Sequence, residues 1–480
     1  MPVGVSRMTT LLAALVVAAA LPASAQFETR WNAPVNQISI SVIVGDFNGD
    51  GILDLAEINN TPTTGQVNIL LGNGDGTFRA GGSGYVVGIF PEYGVAASLR
   101  NNGILDLVIN DQLNDDVWVM LGNGDGTFQP AVAYPTTAET EMVGVGRFMD
   151  GGSLDVIALE EHDTSGNYCD CVEILPGNGN GTFGAPITTP LPYGLSGYEM
   201  VSGDFNDDGK LDVAVTGEAY PNYEVAILLG AGDGTFSADG YYLVSEAPES
   251  IASGYFTGNK RKLDLAEVSF LFGSLSILLG NGTGDFKEST FYDVTYPAWV
   301  IAEDFSGDGK VDLAVTESPQ LVPEVSIFKG NGDGTFQPPV SYLADIGYIA
   351  SGDLNGDGRP DLVGVGGNPF YVTVLLNTGV VSFSPTTPLS FGDQSVGGTS
   401  NAQTVTLTNT GTTELKIQSI KASSEFAVKS TCGERVAAGA SCTISATFSP
   451  TKQGAAQGTI SIIDNASSKP QVIELLGTGT

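Results

Sequence analysis

Histidine is almost missing from this 480-residue chain, and basic residues are scarce. There is one His, at position 162, and there are 19 Lys and Arg against 54 Asp and Glu. A Ser-His-Asp or Cys-His catalytic arrangement would have to use His162, and no nucleophile-elbow motif accompanies it. The formal net charge of −35 disfavours nucleic acid and anionic membranes as partners and favours cations.

Helical periodicity and membrane-length apolar runs are also missing. No long stretch places apolar residues at i, i+3, i+4 and i+7 between helix caps, whereas 64 Gly and a charged fraction of 15% are typical of an all-β protein. The apolar run over residues 11–21 is too short to span a bilayer. Because it follows Arg7 and precedes the small residues 23–25, we predict a signal peptide over residues 1–25 and an exported chain without a transmembrane segment.

Cysteine is limited to four residues. Cys432 and Cys442 are ten apart, and we predict a disulfide between them, which export permits. Cys169 and Cys171 are separated by one residue, so a small ring and two free thiols both fit. With a single His in the chain, neither pair predicts a zinc site.

One sequence unit is present seven times. An Asp that ends a polar loop recurs at Asp54, Asp106, Asp155, Asp212, Asp264, Asp312 and Asp361. A Phe, which closes a G-N-G-D-G-T-F motif in the best copies, recurs at Phe78, Phe128, Phe183, Phe236, Phe286, Phe336 and Phe383. Each unit supplies about four short strands, the size of a propeller blade. We predict a seven-bladed β-propeller over residues 26–384, with residues 27–35 as the missing outer strand of blade 7; an open β-solenoid is the alternative.

Four copies of the polar loop read D-x-[NS]-x-D-G-x-x-D. This pattern presents hard oxygen ligands around a glycine turn, as calcium requires. We predict about four calcium sites, with bare Asx turns as the alternative. The predicted ligands are Asp46, Asn48, Asp50, Asp54 and the Ile52 carbonyl; Asp204, Asn206, Asp208, Asp212 and Leu211; Asp304, Ser306, Asp308 and Asp312; and Asp353, Asn355, Asp357 and Asp361.

The other three copies have lost acidic residues, and we predict no calcium there. The ligand positions are taken by Ser98, Arg100 and Asn102 in the second copy, by Arg147, Met149 and Gly151 in the third, and by residues 255–262 in the fifth. Arg and Lys at these places would replace the charge of the metal. We interpret G-N-G-D-G-T-F as a hairpin turn between the third and fourth strands, with its Phe as an anchor between blades.

Together these features resemble the FG-GAP/VCBS repeat family, which also forms the propeller of integrin α-subunits. Residues 183–186 read F-G-A-P, close to the motif that names the family, and the four acidic loops match the family's calcium loops. The resemblance covers residues 27–383 and implies a calcium-stabilised propeller with ions near one rim. It leaves the partner open, because propeller repeats serve adhesion, lectin activity and some enzymes.

Residues 385–480 show a different pattern. About seven alternating segments predict an immunoglobulin-like β-sandwich, at residues 389–392, 403–409, 415–420, 426–428, 442–448, 458–463 and 472–476. The wording of residues 389–392, 408–411, 448–450 and 477–479 resembles the abnormal-spindle/Hydin-like domains of choice-of-anchor D type. That resemblance implies a spacer or docking module without catalytic residues.

We therefore expect a non-enzymatic extracellular binding or adhesion scaffold whose partner is a protein or a glycan. Residues 85–93, 162–171 and 218–223 are candidates for its binding rim. A carbohydrate-binding lectin is the alternative, although Trp118 and Trp299 fit core packing better than sugar stacking. A polysaccharide-active enzyme is less favoured, because no pair of acids stands out from the metal loops. The anchoring route and the oligomeric state stay open.

Overall fold

The computed structural model describes residues 27–480 except 35–37, 61–62, 162–168, 318–322, 367–370, 378–380, 386–387, 410–413, 438 and 465–469. The predicted signal peptide and His162 lie outside the described residues. The described part is all-β, and its one helical element is a 3-10 turn at Pro192–Gly194. Nowhere in these ranges is there a helix with the length and apolar character needed to cross a bilayer.

Seven antiparallel sheets form the blades of a propeller. Each polar loop joins the first strand to the second, and each G-N-G-D-G-T-F-type turn joins the third to the fourth. The first strands are Ile38–Gly45, Gly94–Ala97, Glu139–Gly146, Ser196–Gly203, Pro248–Gly254, Pro297–Glu303 and Tyr348–Gly352. The second strands are Asp54–Asn60, Asp106–Asp111, Asp155–Glu161, Asp212–Ala219, Asp264–Ser269, Asp312–Glu317 and Asp361–Gly366.

The remaining strands lie on the outside of each blade. The third strands are Gly65–Gly72, Asp116–Met120, Cys171–Leu175, Asn222–Gly230, Ser274–Gly280, Glu324–Phe328 and Tyr371–Asn377. The outer strands are Phe78–Ala80 with Tyr85–Val86, Val132–Pro135, Ile187–Pro190, Phe236–Leu243, Phe286–Asp293, Val340–Leu343 and Phe27–Pro34.

The ring is closed in the way the sequence predicts. First strands of consecutive blades contact one another around the axis, and Tyr348–Gly352 of blade 7 contacts Ile38–Gly45 of blade 1. Phe27–Pro34 pairs antiparallel with Tyr371–Asn377, so the beginning of the described chain completes blade 7. Closure leaves no first or last blade with an uncovered face.

Aromatic contacts join each blade to the next. The closing Phe of one blade packs against the second residue of the polar loop in the preceding blade. Its ring centroid lies 5.6 Å from that of the partner in the Phe128–Phe47 pair. The same edge-on contact recurs in the pairs Phe236–Phe148, Phe286–Phe205 and Phe336–Phe256. The Phe of the turn motif is therefore the predicted anchor between blades.

In blade 7 the closing aromatic is Phe27, which contacts Phe305 at 6.0 Å. The prediction that Phe383 closes the seventh unit is wrong. Phe383 lies in Val381–Ser384, which pairs with Gln403–Asn409 of the C-terminal domain, and it packs against that domain's core. The propeller therefore ends before the predicted boundary at residue 384, because the last strand of the ring comes from the other end of the chain.

The C-terminal domain is a sandwich of two sheets. One consists of Val381–Ser384, Gln403–Asn409, Ser441–Phe448 and Phe426–Ser430, and the other of Leu389–Gln394, Gln471–Gly479, Gly454–Asp464, Leu415–Ala422 and Arg435–Val436. The seven predicted segments all lie in these strands. A disulfide joins Cys432 to Cys442, as predicted, and a second joins Cys169 to Cys171, which decides between the two alternatives left open for that pair.

Candidate functional site: acidic loops and an axial pocket

The Asp that ends each polar loop binds the backbone. Asp54 is fully buried, and its two carboxylate oxygens accept the N–H groups of Phe47 at 3.0 Å and Gly72 at 2.8 Å. Two N–H donors, one from the second or third residue of the polar loop and one from the end of the third strand or just after it, also bind Asp212, Asp264, Asp312 and Asp361, and three bind Asp155. This Asp therefore ties the loop to the third strand, whether or not the rest of the loop is acidic.

The acidic loops form the tight turns that both alternatives, calcium loops and bare Asx turns, predict. In the first loop Asp46 accepts the N–H groups of Gly49 at 2.7 Å and Gly51 at 2.9 Å, and Asn48 accepts that of Asp50 at 2.8 Å. The bond to Asp46 from the glycine after the third ligand position recurs in the other three acidic loops, from Gly209 to Asp204, Gly309 to Asp304 and Gly358 to Asp353. These local bonds pre-form the turn without a metal ion.

The donor set of these loops fits calcium, because each provides three carboxylates and an amide or hydroxyl oxygen. Burial, reinforced by the charges of Asp208 and Asp204, raises the pKa of Asp212 to about 6. Burial, with the charges of Asp357 and Asp353, raises the pKa of Asp361 to about 7. A cation would relieve this repulsion. Within the described ranges, however, no three His, Cys, Asp or Glu side chains converge as a ready-made metal site.

One predicted ligand is placed elsewhere. The position equivalent to Ile52 in the fourth loop is Lys210, not Leu211. The Leu211 carbonyl oxygen faces the third strand, 2.1 Å from where a side chain on Gly230 would begin, just as the Leu53 carbonyl faces Gly72. Leu211 is therefore corrected to a framework residue, and the close approach explains why glycine stands at 72 and 230.

The polar loop of blade 2, one of the three divergent loops, has an arginine in place of the acidic residues. Arg100 Nη2 lies 2.5 Å from Asp106 Oδ1, and the same nitrogen donates to the Gly122 carbonyl at 2.6 Å. This ion pair brings a basic side chain to the last Asp of that loop, and its replacement of a metal charge stays a prediction. In the third loop Arg147 instead donates to the Gly152 carbonyl at 3.2 Å.

The G-N-G-D-G-T-F segments are hairpin turns, as predicted. Gly74 and Gly76 have φ values of 78° and 79°, which only glycine adopts without strain. The Asp75 carboxylate accepts the Thr77 N–H at 3.0 Å and its hydroxyl at 2.6 Å. Asp125, Asp233 and Asp333 make the same pair of bonds, so this Asp is a turn residue.

A cavity of about 580 Å³ lies at the other end of the first strands. The first strands begin at the cavity and end at the polar loops, so about six residues, or roughly 20 Å, separate the two. All seven blades contribute to its lining. The lining residues are Ile40, Glu92, Tyr93, Glu141, Met142, Tyr198, Glu199, Tyr223, Ala247, Pro248, Glu249, Ala298, Trp299, Gly347 and Tyr348.

β-Bulges aim these side chains at the axis. In five blades the pairing of the first and second strands shifts by one residue near the start of the first strand. The extra residues are Ile40, Glu141, Tyr198, Glu249 and Ala298, and every one of them lines the cavity. Because a bulge lets two successive side chains face one side of a strand, it adds a lining position per blade.

The lining combines carboxylates with aromatic rings. Burial and the charges of Glu161 and Glu92 raise the pKa of Glu141 to about 7. Burial, with the charges of Glu249 and Glu267, raises the pKa of Glu199 to about 8. The Gln112 amide donates to Glu92 at 3.0 Å and to Glu141 at 2.8 Å.

Three rings of the lining pack on one another. The centroids of Trp299 and Tyr348 are 4.5 Å apart, and Tyr93 lies 6.0 Å from Trp299 and 5.9 Å from Tyr348. Trp299 therefore packs in the core, as predicted, and also lines the cavity. Trp118 packs against the core between blades 1 and 2.

Sequence reasoning missed this pocket as a whole. Of the predicted binding segments, 85–93 contributes the lining residues Glu92 and Tyr93, and 218–223 contributes Tyr223, while 162–168 lies outside the described residues. The signal that would have found the rest is a position five residues before the end of each first strand. Glutamate stands there in blades 2, 3 and 5, at Glu92, Glu141 and Glu249.

Several large exposed apolar residues lie at the same end of the propeller as this pocket, in strand connections or at the start of a first strand. They are Ile38, Ile89, Phe90, Leu113, Tyr220, Leu271, Phe272 and Tyr296. Tyr220 is 89% exposed and Phe272 71%. Within the polar loops themselves, Tyr255 is the one large apolar residue of the described chain that is comparably exposed, at 36%. We call the eight residues the apolar rim.

The comparisons with known proteins agree with this architecture. A family model for FG-GAP-like repeats matches residues 148–215 and 304–364, and a model for the ASPM-SPD-2-Hydin (ASH) domain matches residues 378–472. No curated protein matches the sequence.

Similar solved structures include three of low sequence identity. A functionally unknown protein from Desulfotomaculum acetoxidans is 12% identical, with a TM-score of 0.43 over 68% of this chain and 89% of its own. The periplasmic gluconolactonase of Pseudomonas aeruginosa is 16% identical, with a TM-score of 0.47 over 63% and 85%. The PapD-like ASH domain 7 of human CEP192 is 16% identical, with a TM-score of 0.17 over 21% and 85%. These likenesses carry no functional argument.

The repeats and the C-terminal match therefore identify the chain as an FG-GAP-repeat β-propeller protein with a C-terminal ASH domain.

Proposed function

We propose that this protein is an exported, calcium-stabilised β-propeller that acts as a non-catalytic binding scaffold, with the ASH domain as its spacer or docking module. The observation that carries the proposal is the one-sided surface of the propeller. The apolar rim and the cavity lie at one end, and the acidic loops occupy the other. Exposed apolar surface beside a concave pocket favours an interaction site.

Two further features support the proposal. Both cysteine pairs are disulfide-bonded, which suits an oxidising compartment outside the cytosol. The four acidic loops hold mutually repelling carboxylates on pre-formed turns, which suits the weak calcium sites of extracellular modules, with dissociation constants of about 10⁻⁴–10⁻³ M.

The test of the scaffold is binding of the purified mature protein to intact cells of the producing organism, measured by flow cytometry in millimolar calcium. Changing Phe90, Tyr220, Phe272 and Tyr296 together to Ser is expected to abolish the binding, whereas Tyr255→Ser at the opposite end is expected to preserve it. Equal binding by both variants, at equal melting temperature, would contradict the assignment of the rim.

A carbohydrate-binding lectin is the second candidate. The observation that favours it is the exposure of Trp299 and Tyr223 to the cavity, because aromatic faces are common in ligand pockets. A glycan array tests this candidate. Glycan binding that Trp299→Leu removes would place a sugar, rather than a protein, at this end of the propeller.

A further inference from the structure

The axial pocket has the dimensions of a small-molecule site. Its volume of about 580 Å³ lies within the range of ligand pockets, roughly 300–1,000 Å³. In all seven blades, residues in or just before the start of the first strand line it, so the closed ring fixes its shape. Its lining differs from blade to blade, unlike the repeated polar loops, and is therefore not explained by the needs of the fold.

Its charge is of one sign. Glu92, Glu141, Glu199 and Glu249 line the cavity, and the lining residues of the described chain include no Lys, Arg or His. Glu199 is only 5% exposed and accepts the Ile251 N–H at 2.7 Å. Four carboxyl groups in a partly enclosed space repel one another unless they are protonated or face a cation. Burial holds the pKa values of all four above the ordinary range, and neighbouring carboxylates add to the shift at Glu141 and Glu199.

Its lining is also aromatic. Trp299, Tyr348 and Tyr93 form one packed group, with Tyr198 and Tyr223 also lining the cavity. Ring faces attract cations through their quadrupole, and the attraction grows as water is excluded. Carboxylates and aromatic faces in one cavity complement the same chemical group, a positively charged, partly apolar head.

We propose that the axial pocket binds one small organic cation, a compound with a quaternary or primary ammonium group, held between the carboxylates and the Trp299–Tyr348–Tyr93 wall. The inference rests on the proposed function in taking the propeller as a binding scaffold, and it names the ligand of its central cavity. An inorganic divalent ion is a poorer fit, because it prefers a shell of oxygens, whereas five aromatic side chains line this cavity.

The test is isothermal titration calorimetry of the mature protein in saturating calcium, so that filled acidic loops do not compete for the cation. The probes are choline, spermidine, and 3,3-dimethyl-1-butanol, which has the shape of choline without its charge. We expect choline or spermidine to bind at one site, and the uncharged alcohol to bind at least about tenfold more weakly.

Two variants locate the site. Trp299→Leu and Glu141→Gln are each expected to weaken binding by about tenfold, and the matched control Glu474→Gln, an exposed acid in the ASH domain, is expected to leave it unchanged. Glu141→Gln keeps the Gln112 hydrogen bond possible, so it remains informative if Trp299→Leu fails to fold. Binding of choline or spermidine by both variants as tightly as by the wild-type protein would overturn the proposal. So would binding of the uncharged alcohol as tight as that of the cations.

A further arm identifies the source of the ammonium group. Nα-acetyl-lysine amide represents a lysine side chain of a polypeptide, and tighter binding of this compound than of choline and spermidine would overturn the assignment to a small free amine. No binding of any cation, while the rim variant still loses cell binding, would overturn this inference alone. Cation binding without rim-dependent cell binding would overturn the proposed function and leave the pocket assignment in place.

Discussion

The two ends of the propeller are built from the same repeat but are used differently. At the polar-loop end, one Asp per blade binds backbone N–H groups and one Phe per blade packs against the neighbouring blade, so residue types recur around the ring. At the pocket end, the corresponding positions hold Ile40, Glu92, Glu141 and Tyr198 in four successive blades. Repetition marks the end that holds the fold together, and variation marks the end that is free to bind.

Loss of a framework Asp should have the largest effect. Asp155 accepts the N–H groups of Phe148, Met149 and Gly177 at 2.9–3.1 Å. Asp155→Ala leaves these donors without their acceptor, so we expect the free energy of unfolding to fall by at least about 3 kcal/mol. Because this loop is not acidic, the loss of melting temperature should be the same with calcium and with chelator. A loss no larger than that of Glu474→Ala would contradict the framework role.

Rebuilding an acidic loop in blade 2 tests whether the acidic sequence alone creates a calcium site. The triple change Ser98→Asp, Arg100→Asn and Asn102→Asp restores the full pattern ending at Asp106. Without calcium it removes the Arg100–Asp106 ion pair, and we expect a cost of about 2–3 kcal/mol.

With calcium the rebuilt loop should bind one more ion than wild type and recover most of that stability. Calcium titration by calorimetry, together with thermal melts, measures both effects. The single change Arg100→Asn serves as the control, since it loses the ion pair without gaining ligands. No added ion in the triple variant would show that the acidic pattern alone does not create a site.

At the pocket end, the buried carboxyl group of Glu199 should destabilise the folded protein once it is ionised. The pKa of Glu199 is raised to about 8 in the folded protein, through burial and the charges of Glu249 and Glu267, from its ordinary value near 4.5. Its contribution to stability is therefore complete below pH 4.5 and is lost as pH rises through 8. Glu199→Gln should be more stable than wild type by about 2 kcal/mol at pH 9, with no such gain at pH 4.5. Chemical denaturation at the two pH values checks this, and a gain that is independent of pH would contradict it.

The smallest effect on stability is expected at the apolar rim. Phe272 is 71% exposed, so Phe272→Ser should change the free energy of unfolding by less than about 0.5 kcal/mol. Tyr255→Ser, its counterpart at the polar-loop end, should do the same. A large loss of stability from Phe272→Ser would mean that this residue supports the fold instead of a binding surface.

The parts of the molecule that repeat were predictable from the sequence. The recurrence of Asp54 and Phe78 predicts seven blades, and the likeness of residues 27–35 to segments that follow a closing Phe predicts the strand that closes the ring. Both follow from local patterns that each blade must satisfy. The error at Phe383 has the same origin, because a Phe at the expected spacing resembles a closing residue although Phe27 already fills that place.

The pocket was not predictable in the same way. Tyr93, Glu199 and Trp299 come from blades 2, 4 and 6, and only the closed ring brings them together. Their side chains face the axis because of bulges and the curvature of the ring, and neither leaves a clear periodic signal in one strand. The error at Leu211 is a shift of one residue. The carbonyl of Leu211 faces the neighbouring strand instead of the loop, because successive carbonyls point in different directions.

Counting bound calcium ions tests directly whether the acidic loops bind calcium. The mature protein is dialysed against millimolar calcium, and bound ions are measured by mass spectrometry beside melts with and without chelator. We expect about four bound ions and a clear fall in melting temperature on chelation. Changing Asp46, Asp204, Asp304 and Asp353 together to Asn should remove the bound ions and the effect of the chelator. No bound ions and no effect of chelator in the wild-type protein would contradict it and leave these loops as turns alone.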